Sequence, residues 1–389
     1  MANAANIITI KNNNRYRILD NLRRAPMSRA ELSRIIGLTK AAVTIITNEL
    51  ISDGIIYERG LDERNNQRGR TSILLDINAE YGFSVGIMLH RKHIDVSVVN
   101  IKGELVDTVS EKTTEFIKPD LAIDWVENTI NSLVLKSGLD FSRCVGIGIG
   151  CPGPVEYKKG IILEPPNFSL FQNYPVVDKI KSKFSVPIYL ENNAVALALA
   201  EHYKNTSENI SKSKLFVVIS NGIGATVLKD GKVFRGSRGF SGEIGHTSID
   251  VNGIRCSCGN CGCLENYATM AALKRRHGFD NYCEVVDKAI LGDSVSCEII
   301  NDLVKCLGSA LVNATNLYDL DEIIIYGEFS YRSDYLCELL EHYIISHSVV
   351  CQTHGLSVKP SLLTDKDAVS ASAVSAINAF YKQNLEMRL

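Results

Sequence analysis

The segment from Glu243 to Glu265 constrains this chain more than any other. It joins Glu243-Ile-Gly-His246 to a knot, Cys256-x-Cys258-Gly-x-x-Gly-Cys263-x-Glu265. Three thiolates and an imidazole at this spacing suit a tetrahedral zinc ion, because a tight C-x-C link, four residues and another cysteine let one loop wrap a single ion. A loop closed in that way would hold Glu243, His246 and Glu265 near one another. The predicted ligands are His246, Cys256, Cys258 and Cys263, with Cys261 as the alternative to His246. A free-standing DNA-binding zinc finger is disfavoured, since Leu264-Glu-Asn-Tyr-Ala-Thr269 carries no basic recognition face.

A chain of 389 residues exceeds one simple core and points to two or three domains. Its 45% hydrophobic content and nine prolines argue for folded material. No apolar run reaches membrane-spanning length, and the N-terminus lacks a basic segment followed by an apolar one, so a soluble, cytoplasmic protein with no membrane partner is expected. Eleven cysteines, an odd number, fit a reducing compartment. Those outside the knot read as small core or surface residues, and the histidines outside it show no ligand spacing. The net charge of −2 hides an asymmetry. Residues 1–76 hold twelve Lys/Arg against eight Asp/Glu, leaving a basic head on an acidic body.

In that head, Ile18, Leu19 and Leu22 recur at helical spacing from Arg15, and Pro26 stops the pattern. Ser28-Arg-Ala-Glu31 reads as a capping box opening a second helix with Leu32, Ile35 and Ile36 on its apolar face. Gly37 turns the chain and Thr39 caps a third helix. There Val43, Ile46 and Leu50 form a buried stripe, with Ala41, Thr44 and Asn48 opposite. This is a helix-turn-helix: Thr39 and Lys40 would meet phosphate or base edges, and Ala41, Thr44 and Asn48 the major groove. Ile45 either meets a thymine methyl or packs on the first helix. Strands at 55–58 and 72–77 bracket a loop with Arg59, Arg64, Arg68 and Arg70, a basic wing.

Beyond Asn78 the pattern turns α/β. Strands are expected at 83–88, 94–99, 104–106, 145–149, 188–190, 216–220 and 323–326, with helices near 121–135, 194–203 and 301–314 and a closing helix at 370–380.

Five motifs in series, Gly146-Ile-Gly-Ile-Gly-Cys-Pro-Gly153-Pro154, Glu191-Asn-Asn-Ala194, Asn221-Gly-Ile-Gly224, Glu243-Ile-Gly-His246 and the cysteine knot, resemble the ROK family of sugar kinases and repressors. With its head, the chain is similar to ROK transcriptional regulators of the xylose and N-acetylglucosamine repressor type along nearly its whole length. The resemblance implies an actin-like (ribonuclease-H-type) two-lobed ROK domain behind an N-terminal winged helix-turn-helix. The head would span 1–76 and the ROK domain 77–389, with lobe one at about 77–190 plus the C-terminal helix and lobe two at about 191–368. It further implies a sugar in the cleft beside zinc, held by Asn192, Asn193, Glu243, His246 and Glu265, with Gly153 and Asn167 nearby. A carboxylate accepts two hydroxyl protons, and a fixed polar set rejects epimers.

The departures bear on activity. Where family kinases carry an Asp and a glycine turn for ATP phosphate, this chain has Gly86-Ile-Met-Leu-His90-Arg91. Where they carry the Asp of Glu-Asn-Asp as base, it has Asn193, and an amide cannot accept a hydroxyl proton. Glu328 follows Gly327 where a nucleotide site is expected. The reading is therefore a non-enzymatic, sugar-responsive repressor. Its expected partners are operator DNA and a sugar or sugar-phosphate effector, and it would act as a homodimer or homotetramer. The alternatives are a ROK sugar kinase with an accessory DNA-binding head, and a repressor triggered by a protein partner.

Overall fold

The computed structural model describes residues 2–62, 72–205, 212–352 and 355–383. Arg64, Arg68 and Arg70 of the expected wing lie outside them.

The head begins with α1 (Ala2–Leu22), which starts well before Arg15. After β1 (Met27–Ser28), the capping box opens α2 (Arg29–Ile36): the Glu31 amide donates to Ser28 Oγ at 3.2 Å and the Ser28 amide to Glu31 Oε2 at 2.7 Å. Gly37 closes α2 in the left-handed region, and Thr39 caps α3 (Lys40–Ser52) by accepting from the Ala42 amide. The two helices lie 119° apart, within the range of a helix-turn-helix. β2 (Ile56–Leu61) and β3 (Ile73–Ile77) complete a sheet of order β1-β3-β2. Arg59, expected on the loop, lies within β2 instead. Its guanidinium meets Asp76 at 3.3 Å, where Lys102 adds a second cation at 3.1 Å, because a carboxylate this buried needs paired charge.

Ile18, Leu19, Leu22, Leu32, Val43 and Leu50 form the head core, which runs without a break into Val99, Ile101, Ala373, Ile377 and Tyr381. The head is thus built onto the body rather than strung from it.

A five-stranded sheet follows, of order β10-β7-β4-β5-β6, made of β4 (Phe83–Leu89), β5 (His93–Asn100), β6 (Leu105–Lys112), β7 (Cys144–Cys151) and β10 (Ile188–Asn192). A small hairpin, β8 (Val155–Glu156) with β9 (Ile161–Ile162), leaves its end. α4 (Pro119–Lys136) and α5 (Val176–Lys181) supply apolar residues to one face. α6 (Asn193–Lys204) and α12 (Asp365–Gln383) pack together, and α12 lies across β4 and β7. The glycine alternation of β7 has a steric cause here: a Cβ on Gly148 would stand 1.8 Å from the Ser372 carbonyl oxygen, so only glycine lets α12 lie this close.

A second sheet, of order β13-β12-β11-β14-β15, is made of β11 (Ser213–Ile219), β12 (Ile223–Lys229), β13 (Lys232–Val233), β14 (Glu322–Gly327) and β15 (Ser357–Pro360). Its helices are α7 (Glu265–Ala268), α8 (Met270–His277), α9 (Tyr282–Ile290), α10 (Ser294–Tyr318) and α11 (Ser333–His347). Leu303, Leu307, Leu311, Leu336 and Leu340 from α10 and α11 bury against Val217, Ile219 and Ile323 of the sheet.

The chain packs as two units, residues 1–207 with 364–389 and residues 208–363. α6, expected in lobe two, belongs to the first unit through its packing on α12. Among the described residues no single helix is long and apolar enough to cross a membrane.

Candidate functional site

On α3 the stripe of Val43, Ile46, Thr47 and Leu50 is buried, while Lys40, Ala41, Thr44, Ile45 and Asn48 are exposed. Ile45 is 60% exposed, which leaves it on the outward face rather than against α1. Arg29, which sequence reasoning passed over, braces this face from α2. It donates to Thr47 Oγ1 and Asn48 Oδ1, both at 3.1 Å, and pairs with Glu58 at 3.0 Å. Asn48 therefore presents its amide donors outward, suited to base acceptors. Thr39 spends its oxygen on capping and keeps its hydroxyl proton to give.

In the second unit the knot closes by local hydrogen bonds. The Cys256 amide donates to the Asn260 carbonyl at 2.8 Å, the Gly262 amide to the Ile254 carbonyl at 2.8 Å, and the Leu264 amide to the Thr247 carbonyl at 3.0 Å. Gly262 has φ 69°, and a Cβ there would stand 1.8 Å from the Asp250 carbonyl oxygen, so the Gly-Cys263 step cannot be otherwise. The result brings one nitrogen of His246 and the sulfurs of Cys256, Cys258 and Cys263 within 4.8 Å of one another. Cys261 is not in this set. Cys256 Sγ lies 3.8 Å from His246 Nδ1, and Cys258 Sγ lies 3.6 Å from Cys263 Sγ. Zinc–sulfur and zinc–nitrogen bonds of tetrahedral sites imply edges of about 3.8 Å between sulfurs and about 3.6 Å from sulfur to nitrogen. The donor set fits that ion.

The thiols are not equivalent. Burial, with hydrogen bonds to Cys258 and Cys256, pushes the Cys263 thiol up to about 12, whereas a backbone hydrogen bond from Asn260 holds exposed Cys258 below its ordinary value. A cation must displace these protons, so zinc affinity is expected to fall steeply as pH drops. Chelator competition at pH 8 and pH 6 checks this, and equal affinities would contradict it.

With Nδ1 of His246 turned to the thiolates, Nε2 faces away from them. Glu265 Oε1 stands 3.6 Å from His246 Nδ1 and 3.8 Å from Cys256 Sγ, beside the knot. Glu243 reaches solvent, yet the protein around it and the Glu265 carboxylate raise its carboxyl above the usual range against the pull of His246. A tight turn, residues 220–222, joins β11 to β12, so that Ile223 and Gly224 of the expected glycine loop belong to the strand, and a Cβ on Gly222 would lie 3.2 Å from Glu265 Oε2.

In the first unit, Asn192 caps α6 through its Oδ1, which accepts from the Ala194 amide at 2.8 Å. Asn193 donates to the Leu89 carbonyl at 3.3 Å, while its Oδ1 is buried with no hydrogen-bond partner among the described residues. Gly153 follows β7, half-buried, and Asn167 is exposed with φ 56°. The turn after β4 carries His90 and Arg91 at its apex, where Arg91 bonds to the Pro166 carbonyl at 3.0 Å. In the second unit Glu328 accepts from the Met270 amide at 3.1 Å, so a carboxylate already occupies the start of α8.

Residues 84–376 match the ROK family and residues 11–57 match a winged helix-turn-helix DNA-binding family. The xylose repressor of Caldicellulosiruptor bescii is 30% identical over 376 residues, covering 90% of this chain and 91% of that one. The Escherichia coli transcriptional dual regulator NagC is 27% identical over 391 residues, covering 95% and 94%. A crystal structure of a ROK family transcriptional regulator, a homologue of the E. coli MLC protein, superposes with a TM-score of 0.79 at 26% identity over 98% of this chain and 99% of that one. The ROK hexokinase of Thermus thermophilus superposes with a TM-score of 0.64 at 25% identity over 75% and 97%. This chain belongs to the ROK family and carries a winged helix-turn-helix at its N-terminus.

Proposed function

We propose that this protein is a cytoplasmic, sugar-responsive transcriptional repressor with a DNA-binding head (1–76) and a sugar-sensing ROK domain (77–389). It binds operator DNA through α3 and the wing, and releases it when a sugar or sugar derivative binds its ROK domain. The observation that carries this reading is the way the head is joined to the body. Its core is continuous with α12, and Arg23 of the head grips the end of α6. The Arg23 guanidinium lies 4.1 Å over the Tyr203 ring and donates to the Tyr203 and His202 carbonyls. α6 spans about 18 Å, from Asn192 and Asn193 at its start to Tyr203 at its end. A ligand that turns α6 therefore moves α1. Such a ligand shifts DNA occupancy only by its preference for one arrangement. In a homodimer or homotetramer, half-sites about 34 Å apart make the spacing of two heads the sensitive quantity.

We assign hydroxyl contacts of the effector to Glu243, His246 and Glu265 within the second unit; within the first unit, taken by itself, Asn192, Asn193, Gly153 and Asn167 are the candidate sugar contacts. The buried, unpartnered Asn193 Oδ1 supports this, since such an atom costs about 1–3 kcal/mol unless a donor meets it. Zinc held by His246, Cys256, Cys258 and Cys263 would close the loop and fix the His246 ring, which leaves Nε2 for a hydroxyl.

Kinase chemistry is absent from this proposal. Asn193 supplies an amide where a base is needed, the turn after β4 offers side chains rather than a glycine cradle, and Glu328 sets a negative charge at the start of α8. The relatives named xylose repressor and N-acetylglucosamine repressor support the same assignment.

The test uses Ala41→Glu. The residue is exposed at the second position of α3, where an acid suits the helix, so folding is retained. Affinity for a promoter duplex is expected to fall about 10- to 100-fold, from the ~1–3 kcal/mol a base-edge contact is worth, and fluorescence anisotropy reads it. Unchanged binding would remove α3 from the interface.

A further inference from the structure

We propose that the turn between β4 and β5 binds a divalent transition-metal ion through His90, His93 and Asp95, a second metal site independent of the cysteine knot and in the other unit of the chain. The backbone makes the cluster. β4 ends at Leu89 and β5 begins at His93, and the His90 amide donates to the His93 carbonyl at 2.9 Å, closing a tight turn. His93 and Asp95 are two apart on one strand and so project to one face, and the turn folds His90 back beside them.

His90 Nε2 and His93 Nε2 stand 3.3 and 3.2 Å from the same oxygen, Asp95 Oδ2, and the three ligand atoms lie within 4.8 Å of one another. A tetrahedral ion with nitrogen and oxygen ligands has ligand–ligand edges of roughly 3.3 Å. The Asp95 side chain is only 2% exposed, and both imidazoles converge on its Oδ2, whose carboxylate they hold below the usual range against the effect of burial. A buried carboxylate needs positive charge beside it, and neutral imidazoles supply none, whereas a cation held between it and the two rings does. Ser110, the register partner of Asp95 on β6, bonds to the carboxylate and orients it as outer-shell partners of metal ligands do.

The two imidazoles stack, with centroids 4.3 Å apart and planes inclined by 22°. Coordination by both requires each ring to swing so that its lone pair converges on one point. Their side chains are 30% and 44% exposed, which leaves room for that motion and for water in the remaining positions. Two imidazoles and one carboxylate favour zinc, cobalt, nickel or copper over magnesium or calcium.

Untagged, chelator-treated full-length protein titrated with cobalt tests the proposal by metal analysis and absorption. Two equivalents are expected: one with thiolate-to-cobalt charge transfer, from the knot, and one without it. His93→Ala and, separately, His90→Gln should each remove only the second. Ser110→Ala should weaken it about 10- to 100-fold. The retained thiolate band reports that each variant is folded. A single, thiolate-bound equivalent in the unsubstituted protein overturns the proposal and leaves two histidines sharing a carboxylate without metal. A second equivalent that survives both histidine substitutions overturns it too.

Discussion

Replacing Cys263 by serine is expected to remove one equivalent of zinc and to abolish release of operator DNA by the effector, while DNA binding without effector stays close to that of the unsubstituted protein. Cys263 is fully buried, and its sulfur lies 3.6 Å from Cys258 Sγ and 3.5 Å from the His246 carbonyl oxygen. A serine oxygen is a harder, weaker zinc ligand and sits too short for the same sphere. Without the ion, the loop from His246 to Glu265 relies on backbone hydrogen bonds alone, and the ordering of Glu243, His246 and Glu265 toward a sugar goes with it. The head is remote in sequence and belongs to the first unit, so its DNA face should be spared. Metal analysis and anisotropy of a labelled duplex, with and without sugar, read both effects. Zinc content unchanged in Cys263→Ser, or a normal sugar response in protein shown to lack the ion, would refute this role of zinc.

The second large effect is expected from Arg23→Ala. Its guanidinium and the Asp20 carboxylate are almost wholly buried and lie 2.8 Å apart, with Arg24 on the same carboxylate at 3.2 Å. Removing one member of a buried pair costs about 3–5 kcal/mol, and the remaining Arg24 places this case at the lower end. The stack on Tyr203 and the bonds to the His202 and Tyr203 carbonyls vanish as well. Sugar should still bind, raising the melting temperature through linkage, but it should no longer dislodge DNA. Burial alone would raise the Asp20 carboxyl; Arg23, Arg24 and His202 outweigh it and hold it below the usual range. Because the folded value is depressed, this joint contributes fully above the ordinary aspartate value of about 4 and loses strength as pH falls through the lower folded one. The difference in stability between the variant and the unsubstituted protein should accordingly be smaller at pH 3 than at pH 7, as chemical denaturation reads it. Loss of under about 1 kcal/mol at pH 7, as for an exposed pair, would deny the joint its role.

The parts of the molecule set by neighbouring residues were readable in advance. Ser28 and Glu31 cap α2 as their spacing predicts, Thr39 caps α3, and the knot gathers its thiolates because its glycines and cysteines act within a few residues of one another. Spacing could not decide between His246 and Cys261. The choice depends on how Gly262 turns against Asp250, a contact between two loop segments. Nor could it find Arg23, whose partner Tyr203 is 180 residues away, or the start of α1, where Lys11-Asn-Asn-Asn14 separates Ile7, Ile8 and Ile10 from the stripe that includes Ile18. β12 was hidden because Asn221–Gly224 reads as a bare glycine loop, although the strand begins at Ile223. His90, His93 and Asp95 meet only once the turn after β4 is known to be tight. The one usable signal was His93-x-Asp95, two ligand types on one face of a strand.

The central claim is that an effector bound to the ROK domain controls the head without being phosphorylated. It is tested most directly by following anisotropy of a promoter duplex bound to the intact protein during titration with D-xylose, N-acetylglucosamine and their phosphates, with ATP turnover measured in the same samples. The account predicts saturable release of the duplex by one of these sugars, with no ATP consumed. A duplex that stays bound at saturation with every one of them, or sugar-dependent turnover of ATP, would contradict it.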